Sequence, residues 1–387
     1  MIKGIHFKNY SVLRDFSLGW TREDLATSNS DAASVGLLLG LIGKNSSGKS
    51  TVFDGLAYLR DIVKFGLSRA SSMDRRGGFA SLKSKGQNQK DEKVELTVIG
   101  ETPEGEHYSY QLLLADDAYQ RPYICEEKLE RWPRGSQQAT CLLQQQAISA
   151  ARSQLEFLDS QGERRQLTLS DTKTTGLAFL GRIDELPFVS YVYHSFYRIF
   201  VYRISPEQPL PTKKEAGGHS RLRDRGDNLE NVLNFLRQKD PQAYDAWLED
   251  SLAKIYGEPM AAEQFRLEEM STGERKFFEL LLLLKENYSL ICLDEPDAGL
   301  YYKMVESLLL EMRDYGLKSP DSQIIFSTHN TNLLQGLKPE EVWIMERSRK
   351  DNSISARPAS EDPIVRSMYE EGLDMGMLWY GGYLGNI

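Results

Sequence analysis

Cysteine is nearly absent: three in 387 residues, Cys125, Cys141 and Cys292, with no CxxC pair among them. An odd count without close spacing argues against a disulfide framework or a thiolate zinc site, and a reducing cytoplasm is the expected setting. Long apolar runs are missing too. The longest lie near Gly36–Gly43 and Leu280–Leu284, far short of the ~18 residues of a membrane span. Met1-Ile2-Lys3-Gly4-Ile5 has no apolar stretch behind a basic start, so neither a secretory signal nor a membrane partner is expected. No internal repeat occurs, and no heptads run over several turns. Positive charge is not in excess. The formal net charge is -9, which argues against a surface coated with nucleic acid, because phosphate contacts need clustered Lys and Arg. Basic residues gather in two stretches, Arg75, Arg76, Lys83, Lys85, Lys90 and Lys93, then Lys213, Lys214, Arg221, Arg223 and Arg225. With Gly, Ser and Asp interspersed they read as solvated loops, and they mark where a nucleic acid would touch.

What is there is an ordinary globular composition, 40% hydrophobic and 27% charged, with length for one to three lobes at roughly 150 residues each. The first 20 residues alternate as two antiparallel strands, through Ile5–Tyr10 and Phe16–Leu18. Gly36–Ile42 is a short apolar run bounded by glycine, as a buried strand would be. A Gly/Ser-rich loop follows, then a helix with Val52, Phe53, Leu56, Leu59, Ile62 and Val63 on one face. Residues 1–63 therefore form the N-terminal part of a core. Residues 64–200 read as an inserted β-rich lobe, with Val94, Leu96 and Val98 alternating, then Tyr108, Tyr110 and Leu112. The glutamine-rich Gln137–Gln146 reads as an exposed excursion of that lobe. Residues 201–264 read as a helical lobe: Asp227-Asn228-Leu229-Glu230 is a capping residue with Glu three places on, and Tyr244, Trp247, Leu248, Leu252 and Ile255 fit a second helix. Residues 265–387 return to the core.

Four motifs carry chemistry. Gly43-Lys44-Asn45-Ser46-Ser47-Gly48-Lys49-Ser50, with Thr51 after it, is a full GxxxxGK[ST] match. Its glycines let successive backbone N–H groups face phosphates, and the next helix adds its positive end. Lys49 is suited to the β- and γ-phosphates, and the Ser50 hydroxyl to Mg²⁺. Leu290-Ile291-Cys292-Leu293-Asp294-Glu295-Pro296 is an apolar strand ending in two carboxylates. Asp294 would complete the Mg²⁺ shell, and Glu295 would polarise the attacking water as general base. Met270-Ser271-Thr272-Gly273-Glu274-Arg275 opens a helix with a hydroxyl and free N–H groups. As a local feature it is a plain N-cap; its place just before the carboxylate strand makes it a phosphate-binding end. Ile324-Ile325-Phe326-Ser327-Thr328-His329-Asn330 ends a strand in a histidine placed to touch a γ-phosphate.

In chain order, Gly43–Ser50, Met270–Arg275, Leu290–Pro296 and Ile324–Asn330 resemble motifs of the ABC-type ATPase superfamily, in its SMC/RecF/OLD-like branch, where they are the Walker A loop, signature motif, Walker B strand and histidine switch. The resemblance covers nearly the whole chain, including Ile5–Tyr10 with Asn9, the Tyr123-Ile124-Cys125-Glu126-Glu127 strand and the segment Gly376–Gly385. It implies an α/β ABC-ATPase head: a P-loop mixed-sheet core with an antiparallel β-lobe and a helical lobe. It further implies that Ser271, Gly273 and Glu274 act on ATP held by another copy, so that a head-to-tail dimer, or a higher homo-oligomer, sandwiches two ATPs and is released by hydrolysis. There are departures. Met270 and Thr272 are mild substitutions in the signature, and Gly299-Leu300-Tyr301-Tyr302 stands where OLD and RecF proteins carry His-Leu-His-Pro. The Q-loop glutamine is unassigned, with Gln87 and Gln89 as candidates.

Without long heptads the chain is no complete SMC, and residues 330–387 are too few for the TOPRIM nuclease of an OLD protein. The expectation is a stand-alone OLD-like ATPase that senses for, or regulates, a co-encoded effector protein, as in bacterial antiphage systems. A RecF-like DNA repair ATPase that clamps DNA is the alternative. A transporter ATPase is disfavoured by the Asn9-type start, the large β-insert and Tyr301-Tyr302.

Overall fold

The computed structural model describes residues 1–27, 32–74, 76–85, 93–149, 151–202, 219–319 and 321–385. Gln87, Gln89, Arg75, Lys90, Lys213 and Lys214 lie outside the described residues.

In chain order the elements begin with β1 (Ile2–Tyr10), β2 (Leu13–Gly19), α1 (Arg22–Thr27), β3 (Leu38–Ile42), α2 (Lys49–Phe65), α3 (Leu67–Ser72) and α4 (Phe79–Leu82). Six strands follow: β4 (Val94–Glu101), β5 (His107–Asp116), β6 (Pro122–Trp132), β7 (Thr140–Ser149), β8 (Arg152–Leu158) and β9 (Arg164–Leu169). Then come α5 (Gly176–Leu180), α6 (Pro187–Tyr197), β10 (Ile199–Tyr202), α7 (Leu229–Lys239), α8 (Pro241–Tyr256), α9 (Thr272–Leu283), β11 (Leu290–Asp294) and α10 (Tyr302–Lys318). The last elements are β12 (Gln323–Ser327), α11 (Thr331–Gln335), β13 (Val342–Arg347), β14 (Ile354–Pro358), α12 (Pro363–Glu370) and α13 (Met375–Tyr380).

Two sheets result. One has eight antiparallel strands in the order β2-β1-β4-β5-β6-β7-β8-β9, so the inserted strands extend the sheet begun by the first hairpin. The other has six in the order β10-β11-β12-β3-β13-β14, parallel except for β14. β3 is buried at every position, as a strand covered on both faces must be. Its Leu39 and Leu41 pack with α2, α6 and the antiparallel sheet, while Leu38 and Ile42 pack with α7 to α11 and α13. The helix expected to be amphipathic, α2, is buried nearly all round. It lies between the sheets, and a Cβ on Gly55 would stand 2.6 Å from the Phe7 ring. Gln323 ties the layers together: its amide oxygen accepts from Ile2 N, and its Nε2 donates to Ile2 O at 2.8 Å and Gly36 O at 2.9 Å.

The structure departs from the sequence pattern at three places. The glutamine-rich stretch is exposed only in part: Gln137, Gln138 and Gln146 are exposed, but β7 is an internal strand in which Gln145 is fully buried, its Nε2 donating to Ser153 Oγ and Thr174 O. Arg76 is not in a solvated loop. It is buried against α2, donating to Asp61 Oδ2 at 2.7 Å and Asp54 Oδ1 at 3.2 Å. Finally, α7 has no capping box, because Asn228 at its N-cap turns back to Arg223 N and Arg221 O and shapes the preceding loop instead.

Candidate functional site

The parallel strands β3, β11 and β12 run in register, so their carboxyl ends lie side by side. Such an edge is where open α/β sheets place their ligands. It brings together three of the four sequence motifs.

The loop from Gly43 to Gly48 departs from β3 with Gly43 at φ 151°, Ser46 at φ 68° and Gly48 at φ 98°. A Cβ on Gly43 would stand 2.3 Å from Met345 O, so only glycine lets the loop press against β13. Lys44, Asn45 and Ser46 are exposed, as is Ser50, while Ser47 and Lys49 are buried. Thr51 N and Val52 N both donate to Gly48 O. The first-turn amides of Lys49 and Ser50 then have no acceptor within the helix and face outward from its N-terminus. Lys49 Nζ donates to Gly43 O at 2.7 Å and Lys44 O at 3.2 Å, which folds the side chain back over the loop. Burial lowers its pKa, opposed by the carboxylates of Glu295 and Asp294. Ser47 Oγ is buried without a hydrogen-bond partner, an unmet polar group that an anion in the loop would satisfy.

Asp294 ends β11 opposite Ser327 of β12. Ser327 Oγ donates to Asp294 Oδ1 at 2.6 Å and accepts from Glu295 N at 3.0 Å. Glu295 is left-handed at φ 47°, a conformation that costs a non-glycine residue about 1 kcal/mol and persists only where its surroundings enforce it. Its side chain is half exposed, and Oε1 lies 3.9 Å from His329 Nε2. Burial and the nearby Lys49 lower the His329 pKa, which favours a neutral ring able to accept or donate. Thr328 Oγ1 donates to Asp297 Oδ1 at 2.8 Å, closing the turn after the carboxylates.

The fourth motif takes a different position. Ser271 is the N-cap of α9: its hydroxyl accepts from Glu274 N, and the Glu274 carboxylate accepts from Ser271 N. The reciprocal pair holds the turn at the surface, Ser271 and Thr272 exposed. Gly273 meets the loop after β11, where an added Cβ would stand 2.4 Å from Gly299 O. One turn further on, buried Lys276 donates to Glu295 O at 2.8 Å and Ala298 O at 2.9 Å. Ser327, Thr328, Asp297 and Lys276 were not singled out from the sequence as site residues. Ser327 and Thr328 were visible only as neighbours of His329, and nothing marks Lys276 apart from its place one turn into α9. Asn9 serves structure, its Oδ1 accepting from Ser84 N at 3.1 Å.

A family model described as "AAA domain, putative AbiEii toxin, Type IV TA system" matches residues 38–335, from β3 to α11. The chain belongs to this AAA-domain family. Among curated proteins, this family member is 26% identical over 120 residues to a probable ATP-dependent transporter, ycf16, of Antithamnion sp., covering 31% of this chain and 47% of the relative. It is 35% identical over 92 residues to the chloroplastic ABC transporter I family member 6 of Arabidopsis thaliana, covering 23% of this chain and 27% of the relative. The chain thus spans about half, or about a quarter, of the length of these two relatives. Solved structures similar to it include an SMC head domain from Thermotoga maritima, with TM-score 0.42, 12% identity and coverage of 92% and 98%. Another is an Smc head with an extended coiled coil bound to the C-terminal domain of ScpA from Pyrococcus furiosus, with TM-score 0.47, 12% identity and coverage of 96% and 98%. The fold is α/β, a mostly parallel core sheet beside an antiparallel sheet, with helices on its faces. No helix among the described residues is long and apolar enough to cross a membrane.

Proposed function

We propose that this chain binds ATP with Mg²⁺ and hydrolyses it between two copies joined head to tail, acting as the switch of a partner effector protein. The observation that carries the ATPase reading is the convergence of Lys49, Asp294, Glu295 and His329 on one sheet edge. The amides of residues 45–50 and the Lys49 ammonium would hold the phosphates; Ser50 and Asp294 would hold the metal. Among the described residues no cluster of three or more His, Cys, Asp or Glu could hold a metal by itself, which suits Mg²⁺ completed by phosphate and water. Bound there, MgATP supplies the transferable phosphoryl group with its charge partly neutralised. Glu295, half exposed and oriented by Ser327, takes the proton of the attacking water. Neutral His329, within reach of Glu295, steadies that carboxylate and senses the terminal phosphate.

The dimer reading is supported by the signature turn. Ser271 and Thr272 are exposed while Gly273 packs against the loop after β11, which suits contact of the turn with ATP on a second copy. The effector reading is supported by the matched family's description, which speaks of a toxin of a type IV toxin–antitoxin system; a role in antiphage defence, in the cytoplasm, follows that line.

The test is the mass of Glu295→Gln protein by light scattering, with and without ATP and Mg²⁺, after affinity purification from its native host. A shift to dimer or larger with ATP, together with an unrelated protein carried along, is expected. A dimer carrying DNA and no protein partner would move the assignment to a DNA-clamping repair ATPase. A monomer with and without ATP would overturn the head-to-tail dimer, and a dimer in both would make assembly constitutive.

A further inference from the structure

Lys276 is a buried lysine with no role in phosphate binding. It sits on α9 one turn after the signature, yet both acceptors its ammonium meets belong to the loop after β11, Glu295 O at 2.8 Å and Ala298 O at 2.9 Å. Burial lowers its pKa against the pull of Asp297, Glu295 and Asp294. A buried ammonium is costly unless its hydrogen bonds are satisfied, so its place here asks for a reason beyond packing. A methionine or leucine would fill the same space without that cost.

The reason lies in Glu295. Its backbone is left-handed at φ 47°, and the groups on both sides of that strained residue are held. Its N–H is bound by Ser327 Oγ at 3.0 Å, and its C=O by Lys276. Ser327 belongs to the core sheet and Lys276 to the signature helix. Gly273 packs against Gly299 O in the same loop, so the start of α9 touches the loop at two places. The left-handed turn aims the Glu295 side chain toward His329 and away from the strand direction; released, it would relax toward an ordinary conformation and carry the carboxylate elsewhere.

We propose that Lys276 is the positioning residue that locks the Glu295 backbone to the signature helix, so that a displacement of that helix reorients the Glu295 carboxylate. The proposal rests on Glu295 as the group that accepts the water proton. One copy's signature turn, engaged on its neighbour's nucleotide, thereby sets the base of its own site. The two sites are coupled through about one helical turn of α9.

The experiment is a double-mutant cycle on the full chain with Lys276→Met, Glu295→Gln and the pair, reading steady-state kcat and KM for ATP. Lys276→Met is expected to lower kcat about ten-fold or more with KM within about two-fold, the mark of an interaction that matters for the chemical step. The pair is expected to turn over no more slowly than Glu295→Gln alone, because Lys276 acts only through that side chain. Multiplied losses, an unchanged kcat, or a KM effect without a kcat effect would each overturn the proposal. Should Lys276→Met fail to fold, Lys276→Gln, whose shorter, uncharged side chain cannot bridge both carbonyls, takes its place in the cycle with the same expected loss of kcat. Normal turnover in Glu295→Gln alone would overturn the base assignment itself and is read from a different variant.

Discussion

Ser327 and Asp294 face each other across two parallel strands, and the Ser327 hydroxyl donates to Asp294 Oδ1 at 2.6 Å while accepting from Glu295 N. A single hydroxyl thus orients one carboxylate through its side chain and the other through its backbone. Ser327→Ala should therefore weaken the Mg²⁺ dependence of ATPase activity by about 10- to 100-fold, the range for removing a group that orients a metal ligand. Titrating activity against Mg²⁺ checks it, and an unshifted midpoint would show that Asp294 needs no such support.

Lys49 is held by two carbonyls of its own loop, bonds it would exchange for phosphate oxygens under the proposed function. Lys49→Ala removes the charge that makes the exchange favourable. ATP affinity, measured by calorimetry, should fall at least about ten-fold, roughly 1.4 kcal/mol; an unchanged affinity would remove the phosphate-loop assignment.

Gly273 has no room for a side chain, with Gly299 O 2.4 Å from where a Cβ would be. Gly273→Ala must push the loop after β11 away from α9. Overpacking of this kind costs about 1–3 kcal/mol, and kcat should drop with the melting temperature. A variant as active and stable as the parent would show that the loop yields freely.

Stability should also depend on pH through Glu127. Burial pushes its carboxyl up to about 7, against hydrogen bonds from Leu177 N, Tyr110 Oη and Gly176 N. The folded state then holds the proton more tightly than the unfolded chain, where the ordinary value is 4.5. That contribution is fully present below pH 4.5 and is lost as pH rises through about 7. It amounts to something on the order of 3 kcal/mol. Glu279, also pushed up to about 7 by burial, titrates in the same window. Melting curves from pH 4.5 to 8 should decline in the parent, and Glu127→Gln should keep only the Glu279 share of that decline. Parallel slopes would show that Glu127 is charged throughout.

Much of this was legible in the residues. The run Leu38–Ile42, the phosphate loop, the Asp294-Glu295 pair and the alternation of Val94, Leu96 and Val98 each depend on local geometry, a strand period or a loop needing glycine, and local geometry is written in consecutive residues. The burial of Gln145 was not legible, because its partners Ser153 and Thr174 stand 8 and 29 positions along the chain, on the next strand and a later loop. The same holds for Arg76, whose carboxylates come from α2.

The sequence by itself determined which chemical groups are available, a glycine-rich loop of backbone amides, a lysine, two carboxylates and a histidine, and the order in which strands deliver them. Only the tertiary structure decided how they are held: Ser327 beside Asp294, Lys276 on the carbonyl of Glu295, Gly273 against Gly299. A motif is a short-range constraint on the backbone. Hydrogen bonds between α9, β11 and β12 join residues 19 to 33 positions apart, and their partners are fixed by packing, which no local pattern encodes.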